Sequence, residues 1–286
     1  MWRHLLQRME AVVHPRLERQ LVAGKSIHGI FCDSQCSGVD EGDVLCCIPF
    51  VHCAAPNLVA ASPWGKQLLN ALSSYSASGN GVRVEYSVES ALTTAFCALL
   101  IHHSSSHLGN YLRWITIEEV DSATLRRQLG EEAYVRLQVI TKLNESITHA
   151  LCRDAAAAGL QVPIEAMERA HKICSSRCID LPHSEQIFGG PAMVPLVDLV
   201  NHSEEEPNVV ASVSARRLAM RALGGSRTFP QEHWGVLRDG HCPFYVVLRA
   251  ARALEPGEEL HYQYADQNDS CARDPLFWAS RFHFCP

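Results

Sequence analysis

The sequence lacks the features that would assign the chain to several large classes of protein. No stretch of about 18 uncharged apolar residues occurs, so a membrane-spanning helix is not predicted. Acidic residues outnumber basic ones, 31 to 25, which does not suit a nucleic-acid binder that relies on neutralising phosphates. With 47% hydrophobic and 20% charged residues, the chain has the composition of a globular protein rather than a disordered one.

Motifs of several common enzyme classes are also missing. Gly24-Lys25-Ser26 resembles the end of a phosphate-binding loop, but Arg19 stands where that loop requires its first glycine. The sequence has no G-x-G-x-x-G after a strand, no G-x-S-x-G and no H-E-x-x-H. These absences argue against a P-loop NTPase, a Rossmann dinucleotide-binding protein, a hydrolase with a nucleophile elbow and a zinc peptidase.

Twelve cysteines occur, but none forms the C-x₂-C pair that structural zinc sites favour. Cys32 and Cys36 are four positions apart, as are Cys174 and Cys178, and Cys46-Cys47 lies inside an apolar run. Free cysteine in such a run behaves as a small hydrophobic residue. We therefore predict reduced core thiols and no metal site, in a chain that works in the cytoplasm or the nucleus.

The N-terminal residues do not form a secretory signal, because Glu10 follows Met-Trp-Arg-His-Leu-Leu before an apolar region develops. Trp2, Leu5, Leu6 and Met9 recur at helical spacing. We expect a first helix that packs on the domain. An amphipathic organelle transit peptide is the alternative that the pattern leaves open.

The hydrophobic period changes twice along the chain. Short apolar runs separated by turn residues occupy the N-terminal part, and a helical period holds from Ser87 to about Arg177. Strand-like runs then return. The predicted strands are 30–32, 44–48, 193–197, 208–213, 244–248 and 259–264, and residues 222–242 are predicted to form a loop.

Capping residues mark individual helices within the helical block. Ser87 or Ser90 is suited to begin the first of them. A long helix is predicted from Glu131 to Ala158, with Gly159 as its C-terminal cap, and Pro163 fits the first turn of the next helix.

The order of strands, helices and strands indicates one α+β domain over residues 1–286 rather than separate domains. We predict a β-rich core formed by residues 20–85 and 186–270. Residues 86–185 are then a helical subdomain inserted into that core, and residues 271–286 are a C-terminal segment that closes the site.

Two short stretches carry the functional prediction. Residues 195–203 read PLVDLVNHS, an apolar run that leads into Asn201-His202. Residues 254–264 read LEPGEELHYQY, a turn followed by an alternating segment with Tyr262 and Tyr264 on one face. Either stretch alone fits an ordinary strand and turn, whereas the two in this order are a more specific pattern.

Together the two stretches resemble the signature of SET-domain methyltransferases. Ser176-Arg177 and residues 107–112 (HLGNYL) are similar to motifs of the subclass that contains the Rubisco large-subunit methyltransferase and its animal relatives. The resemblance covers about residues 20–284. It implies a SET fold of small sheets with a C-terminal pseudoknot, in which Gly29 lies close to Asn201. It also implies methyl transfer from S-adenosylmethionine to a lysine of a protein, of non-histone type because no cysteine cluster follows the tyrosine strand.

The resemblance further implies the roles of individual residues. Tyr264 is the implied catalytic residue, because its hydroxyl would align donor and amine. The implied donor contacts are Ile27, His28, Gly29, Arg177, Asn201, His202 and Phe284, and the implied substrate contacts are Asp198, Tyr262 and Phe282. Three of these have a structural alternative: Arg177 as a helix-end charge, Asp198 as a turn cap and Phe284 as a core residue.

Two departures from the family pattern keep other functions open. Ile27-His28-Gly29 retains only the second glycine of the family's G-x-G, and Phe282-His283-Phe284 replaces its closing Tyr-Gly-Phe. A non-catalytic SET-like interaction module is therefore one alternative, and a histidine-directed protein methyltransferase is another. The sequence stops at Pro286, so we expect the family's C-terminal substrate domain to be absent. We expect a monomer that binds a protein or peptide substrate and neither nucleic acid nor membrane.

The implied reaction is consistent with the missing motifs. Methyl transfer to an amine needs a neutral nucleophile, and a lysine of pKa 10.4 is neutral in about one molecule in 2,500 at pH 7, a cost of roughly 4–5 kcal/mol. A narrow apolar channel lowers that pKa by disfavouring the charged form. Alignment of amine and methyl supplies much of the remaining acceleration. Neither a metal nor an acid–base triad is required.

Overall fold

A computed structural model describes residues 1–23, 27–117, 120–181, 190–231, 242–264 and 274–282. Contacts between residues divide the chain into two compact units. The strand unit comprises Met1–Cys53, Ile179–Gly189 and Met193–Tyr264, and the helical unit comprises Ala54–Cys178, Gly190–Ala192 and Ala265–Pro286. The predicted domain boundaries themselves stay a prediction.

Strands are concentrated towards the two ends of the chain and helices towards its middle. In the first half they are α1 (Trp2–Arg8), β1 (Val12–Val13), β2 (Leu17–Leu21), β3 (His28–Cys32), β4 (Val44–Pro49), α2 (Pro56–Ala61), α3 (Pro63–Leu69), β5 (Tyr75–Gly79), β6 (Val82–Tyr86), α4 (Val88–His103), α5 (His107–Trp114), α6 (Ser122–Leu129) and α7 (Glu131–Ala157). The second half contains α8 (Ile164–Arg177), β7 (Ile179–Leu181), β8 (Gly190–Ala192), β9 (Asn201–His202), β10 (Val209–Ala215), α9 (Arg216–Gly225), β11 (Phe244–Ala250), β12 (His261–Tyr262) and α10 (Pro275–Phe282).

The strand unit is built around a four-stranded antiparallel sheet in the order β1-β4-β11-β10. All six residues of β4 are buried, which explains why its sequence is a continuous apolar run rather than an alternating one. One core cluster joins this sheet to α9 and to the loop that follows α9. Its buried members are Val12, Val44, Cys47, Ala219, Leu223, Phe229, Tyr245 and Val247.

Two smaller pairs of strands complete the part of the strand unit that matters for function. β2 pairs with β3 in antiparallel register, and β9 pairs with β12 in parallel register. The segment before β12 also joins β3, because Leu260 N–H donates to Ile30 O at 2.7 Å and Cys32 N–H donates to Glu258 O at 2.8 Å. β3, β9 and β12 are therefore connected, although they come from distant parts of the chain.

The helical unit consists of helices that pack on one another and on the β5–β6 hairpin. The 27-residue α7 lies against this hairpin, and the Tyr75 hydroxyl donates to Asp154 Oδ2 at 2.7 Å. Side-chain caps begin several of the helices, since Ser87 Oγ accepts from Ser90 N–H at 3.2 Å and Asp121 Oδ1 accepts from Thr124 N–H at 3.0 Å. These local bonds satisfy N–H groups that have no partner within a helix.

Most of the predicted elements are confirmed. The first helix is present as α1 and Ser87 caps α4, whereas Pro163 is the N-cap residue before α8 rather than part of its first turn. The long predicted helix is α7, which Gly159 follows with φ +80°. A positive φ is the conformation for which glycine is favoured after a helix end.

Three predictions of local structure are wrong in part. Residues 193–197 do not form a strand; the backbone turns at Leu196, where φ is +74°, and residues 197–199 form a 3₁₀ turn. Pro195 lacks the N–H that a strand ladder requires, which explains this difference. The predicted strand 259–264 is a regular strand only at His261–Tyr262. Residues 222–225 belong to α9 rather than to a loop, and residues 232–241 of that predicted loop lie outside the described part.

Within the described ranges, none of the helices combines the length and apolar character needed to cross a membrane. The same ranges contain no group of three or more His, Cys, Asp and Glu side chains that could hold a metal ion. The cysteines that can be examined there are unbridged, and most are buried.

Candidate functional site

The two predicted signature stretches meet in the strand unit. β9 and β12 pair in parallel, with His261 opposite Asn201 and Tyr262 opposite His202. About 60 residues separate the partners in sequence, so the pairing depends on the fold and not on local structure. The Asn-His pair and the segment that carries the tyrosines therefore form one site.

Asn201 connects this pair of strands to β3. Its Nδ2 donates to His28 O at 3.2 Å and to Glu259 Oε1 at 2.6 Å. The short distance from Asn201 to the His28-Gly29 segment confirms that Gly29 lies close to Asn201. Both N–H groups of the amide are thus used inside the site, and this network also determines which amide atom is the nitrogen.

Two side chains approach the backbone of Gly29 closely. A Cβ atom at this position would lie 2.3 Å from Glu259 Oε1 and 3.0 Å from Asn201 Nδ2. Real Cβ atoms essentially never show the first of these distances, so a larger residue would have to displace the Glu259 carboxylate at the end of its side chain. The sequence retains glycine at the one position of Ile27-His28-Gly29 where this carboxylate passes.

Tyr264 is held by two hydrogen bonds to the segment that contains β9. Its hydroxyl donates to Val200 O at 2.6 Å, and its backbone N–H donates to His202 Nδ1 at 3.2 Å. Its ring centroid lies 5.2 Å from that of His202 and 6.5 Å from that of Tyr262. Because the hydroxyl proton is directed to Val200, the oxygen can act towards another group only as an acceptor.

The imidazole of His202 is neutral when it accepts the hydrogen bond from Tyr264 N–H. Burial is the main cause that lowers the pKa of this imidazole below its ordinary value, and the nearby His261 acts in the same direction. Nδ1 accepts the Tyr264 N–H, so the proton of the neutral ring is assigned to Nε2. Protonation of Nδ1 would remove this acceptor.

Asn208 fixes the strand that carries the tyrosines and was not identified from the sequence. It is fully buried, and its Nδ2 donates to Glu258 Oε1 at 2.9 Å and to Glu259 O at 2.8 Å. Its Oδ1 accepts from His261 N–H at 2.7 Å. The sequence did contain one indication of this role, because Asn208 directly precedes the apolar run of β10. A polar side chain that is buried beside such a run needs hydrogen-bond partners.

The predicted substrate contacts of the strand unit lie in or beside this site. Tyr262 is half-buried in β12, and its pKa is raised by burial and, to a smaller extent, by Asp180. Asp198 is almost completely buried in the 3₁₀ turn that leads to β9. That turn supports the Asn201-His202 segment, and the proposed contact of Asp198 with substrate stays a prediction.

Other predicted site residues occur elsewhere. Ile27 is half-buried and directly precedes β3, and its carbonyl accepts from Val22 N–H at 2.9 Å. Arg177 ends α8 in the helical unit, where its Nη2 donates to Thr116 O at 2.7 Å. Phe282 ends α10 and is buried, with its ring centroid 5.2 Å from that of Trp278.

Phe284 lies outside the described residues. Of the predicted site residues, the structure brings together six within the strand unit: His28, Gly29, Asn201, His202, Tyr262 and Tyr264.

Comparison with known proteins identifies the fold. No family model matches the sequence, and no curated protein matches it. The structure is similar to the SET domain of LSMT bound to lysine and AdoHcy, with a TM-score of 0.64 and 15% identity over 100% of this chain and 56% of that one. It is also similar to Rubisco LSMT bound to AdoMet, with a TM-score of 0.63 and 14% identity over 100% of this chain and 55% of that one.

A third structure, Rubisco LSMT bound to sinefungin and monomethyllysine, has a TM-score of 0.58 and 15% identity over 99% of this chain and 55% of that one. The chain thus spans just over half the length of these proteins. Their likeness to it extends over nearly all of its residues, and the chain has the SET-domain fold, with small sheets and a set of inserted helices, as the resemblance of its motifs implied.

Proposed function

We propose that the chain is an S-adenosylmethionine-dependent protein methyltransferase that transfers a methyl group to a lysine side chain. The observation that carries the proposal is the parallel pairing of β9 with β12, which brings Asn201-His202 and Tyr264 together beside Gly29. Structures of the same fold bound to AdoMet, and to lysine with AdoHcy, support it.

The residues at the site suit a donor that carries both polar and cationic groups. Asn201, His28 and Glu259 form a hydrogen-bonded cluster around a glycine that a side chain would obstruct. When bound, S-adenosylmethionine would supply the activated methyl group. We assign donor binding to this cluster, to Ile27, Gly29 and His202, and to Arg177, whose guanidinium is suited to the donor's carboxylate. Phe284 is proposed to stack near the adenine.

Tyr264 is proposed to orient the reacting groups through its hydroxyl oxygen. Because this hydroxyl already donates to Val200 O, its lone pairs can accept a hydrogen bond from a substrate ammonium and, after deprotonation, from the remaining amine N–H. His202 keeps the tyrosine in place through its neutral Nδ1. Tyr262 and Asp198 are proposed to shape the channel for the lysine, and Phe282 to contribute an apolar wall. Alignment in this setting favours the near-attack geometry.

Two experiments test the proposal in sequence. Calorimetric titration of the purified chain with S-adenosylhomocysteine should show saturable binding. Radiolabelled methyl transfer onto fractionated lysate, followed by mass-spectrometric location of the label, should then identify a modified lysine in a protein. Label on a histidine would support the alternative acceptor while retaining the donor. Donor binding without any transfer would contradict the enzymatic proposal.

A non-catalytic SET-like module remains the competing proposal because of two positions. Ile27 places a side chain where the family has glycine, and the Phe282 ring packs on Trp278 and Phe277 without a hydroxyl. The module binds a partner or the donor without turnover, so donor binding without transfer, or no heat with S-adenosylhomocysteine, would favour it. The expected monomeric state is a separate matter, which sedimentation of the purified chain would measure.

A further inference from the structure

Glu259 occupies a defined place between the turn at Gly257 and β12. Its backbone forms an antiparallel bridge with Phe31, and the next residue, Leu260, donates to Ile30 O at 2.7 Å. These main-chain bonds align the Glu259 segment with β3. As a result, the Glu259 side chain lies across Gly29, where Oε1 is 2.3 Å from the position that a Cβ would take.

The Glu259 carboxylate is mostly removed from solvent. Its side chain is 14% exposed, Oε1 accepts from Asn201 Nδ2 at 2.6 Å, and Oε2 lies 3.5 Å from His261 Nε2. A carboxylate in a partly dry site is stabilised strongly by a cation that can also donate hydrogen bonds. A ligand with such a cation would therefore gain affinity here.

The cluster around Gly29 presents acceptor atoms. Both N–H groups of Asn201 are used towards His28 O and Glu259 Oε1, so this amide offers a ligand its Oδ1. Together with the Glu259 carboxylate and the His28 carbonyl, it forms a group of acceptors on neighbouring strands. An ammonium group has three N–H donors and no acceptor, which matches such a group, whereas a ligand carboxylate would be repelled by Glu259.

We propose that Glu259 is a specificity residue that selects the methyl donor by pairing with the ammonium of its amino-acid part. The inference rests on the proposed function, because it assumes that the donor binds beside Gly29. It adds that the carboxylate recognises one chemical group of the donor, and that Asn201 also holds this carboxylate in position. Glu259 is not assigned any contact with the transferred methyl group.

The test compares two ligands on two proteins by calorimetry. The ligands are S-adenosylhomocysteine and its deaminated analogue, in which hydrogen replaces the ammonium group. In Glu259→Gln the side-chain oxygen can still accept from Asn201, but the negative charge is lost. We expect this variant to bind S-adenosylhomocysteine roughly tenfold to a hundredfold more weakly than the wild type, as for a lost charge-assisted hydrogen bond. Its affinity for the deaminated analogue should equal that of the wild type.

Glu258→Gln is the matched control. Glu258 is the adjacent carboxylate and pairs with Arg252 at 2.6 Å and with Asn208 at 2.9 Å, so its charge is used within the fold. This variant should keep the wild-type ratio of affinities for the two ligands. Thermal unfolding of each variant reports whether it folds. If Glu259→Gln does not fold, Glu259→Asp replaces it and should reduce the preference for the ammonium-bearing ligand by a smaller factor.

The outcomes separate the inference from the function on which it rests. Equal weakening of both ligands by Glu259→Gln would assign Glu259 a structural role and overturn the inference. Unchanged binding of S-adenosylhomocysteine would overturn it as well, while leaving the methyltransferase proposal intact. A wild-type chain that binds neither ligand would overturn the proposed function itself, and the inference with it.

Discussion

The strand unit and the helical unit hold their elements in place by different means. In the helical unit, α7 has 27 residues whose backbone bonds are internal to the helix, and caps such as Ser87 act within one turn. In the strand unit, β9 and β12 have two residues each, and side chains such as Asn208 provide the bonds that align them. Positioning at the site therefore depends on a few polar groups, and single substitutions there should have larger effects.

The largest expected effect is on catalysis, at Tyr264. Tyr264→Phe should lower turnover roughly tenfold to a thousandfold, because one aligned polar contact in the transition state is lost. Single-turnover methyl transfer onto the identified substrate measures this effect. Loss of the bond to Val200 O should cost only about 1 kcal/mol of folding stability. Tyr262→Phe is the control and should be milder; equal turnover in Tyr264→Phe and the wild type would refute the catalytic assignment.

The next largest effect concerns stability, at Asn208. Asn208→Ala should lower the free energy of unfolding by about 3 kcal/mol, because three partly buried groups lose their hydrogen bonds to a fully buried side chain. Urea unfolding followed by circular dichroism measures the change. Asn70→Ala, at the exposed end of α3, is the control in the helical unit and should change stability by less than about 0.5 kcal/mol. Similar losses in both variants would remove the contrast between the units.

A smaller effect should appear with pH, through His14 in the strand unit. Burial and the nearby Arg16 lower the pKa of this histidine from 6.5 to about 4. The unfolded chain then binds more protons between these values, so stability is complete above about pH 6.5 and declines as pH falls towards 4. We expect a decline of about 2 kcal/mol between about pH 7 and about pH 5 in urea titrations. His14→Gln should make the pH dependence shallower, and an unchanged slope would contradict the assignment.

The smallest expected effect is at a helix cap of the helical unit. Ser87→Ala removes the acceptor for Ser90 N–H and should lower the free energy of unfolding by about 1 kcal/mol. Ser87→Asp retains an acceptor and should leave stability almost unchanged. Urea unfolding again provides the measurement. A loss as large as that of Asn208→Ala would show that the two units do not differ in the way proposed.

The same contrast explains which features could be predicted from the sequence. The start of α4 and the end of α7 were predictable because Ser87 and Gly159 act on the residues next to them. The meeting of Gly29 with Asn201 was predictable only through the resemblance to a known family. The sequence predicts a strand at 193–197, where the structure has a turn. A fully buried turn and a fully buried strand have the same apolar composition, so composition alone does not distinguish them. The roles of Asn208 and Glu259 could not be derived, since their partners lie about 50 or more positions away.

The bond between Leu260 and Ile30 has a consequence for the order in which the chain folds. It closes a loop of about 230 residues, and β9 with β12 closes one of about 60. The entropy lost in closing long loops must be recovered by contacts that form afterwards, whereas helices such as α7 need only neighbouring residues. During synthesis, β3 emerges from the ribosome long before the Leu260 segment does. β3 can pair with β2 early, but its bond to Leu260 must wait until that distant segment has also been made.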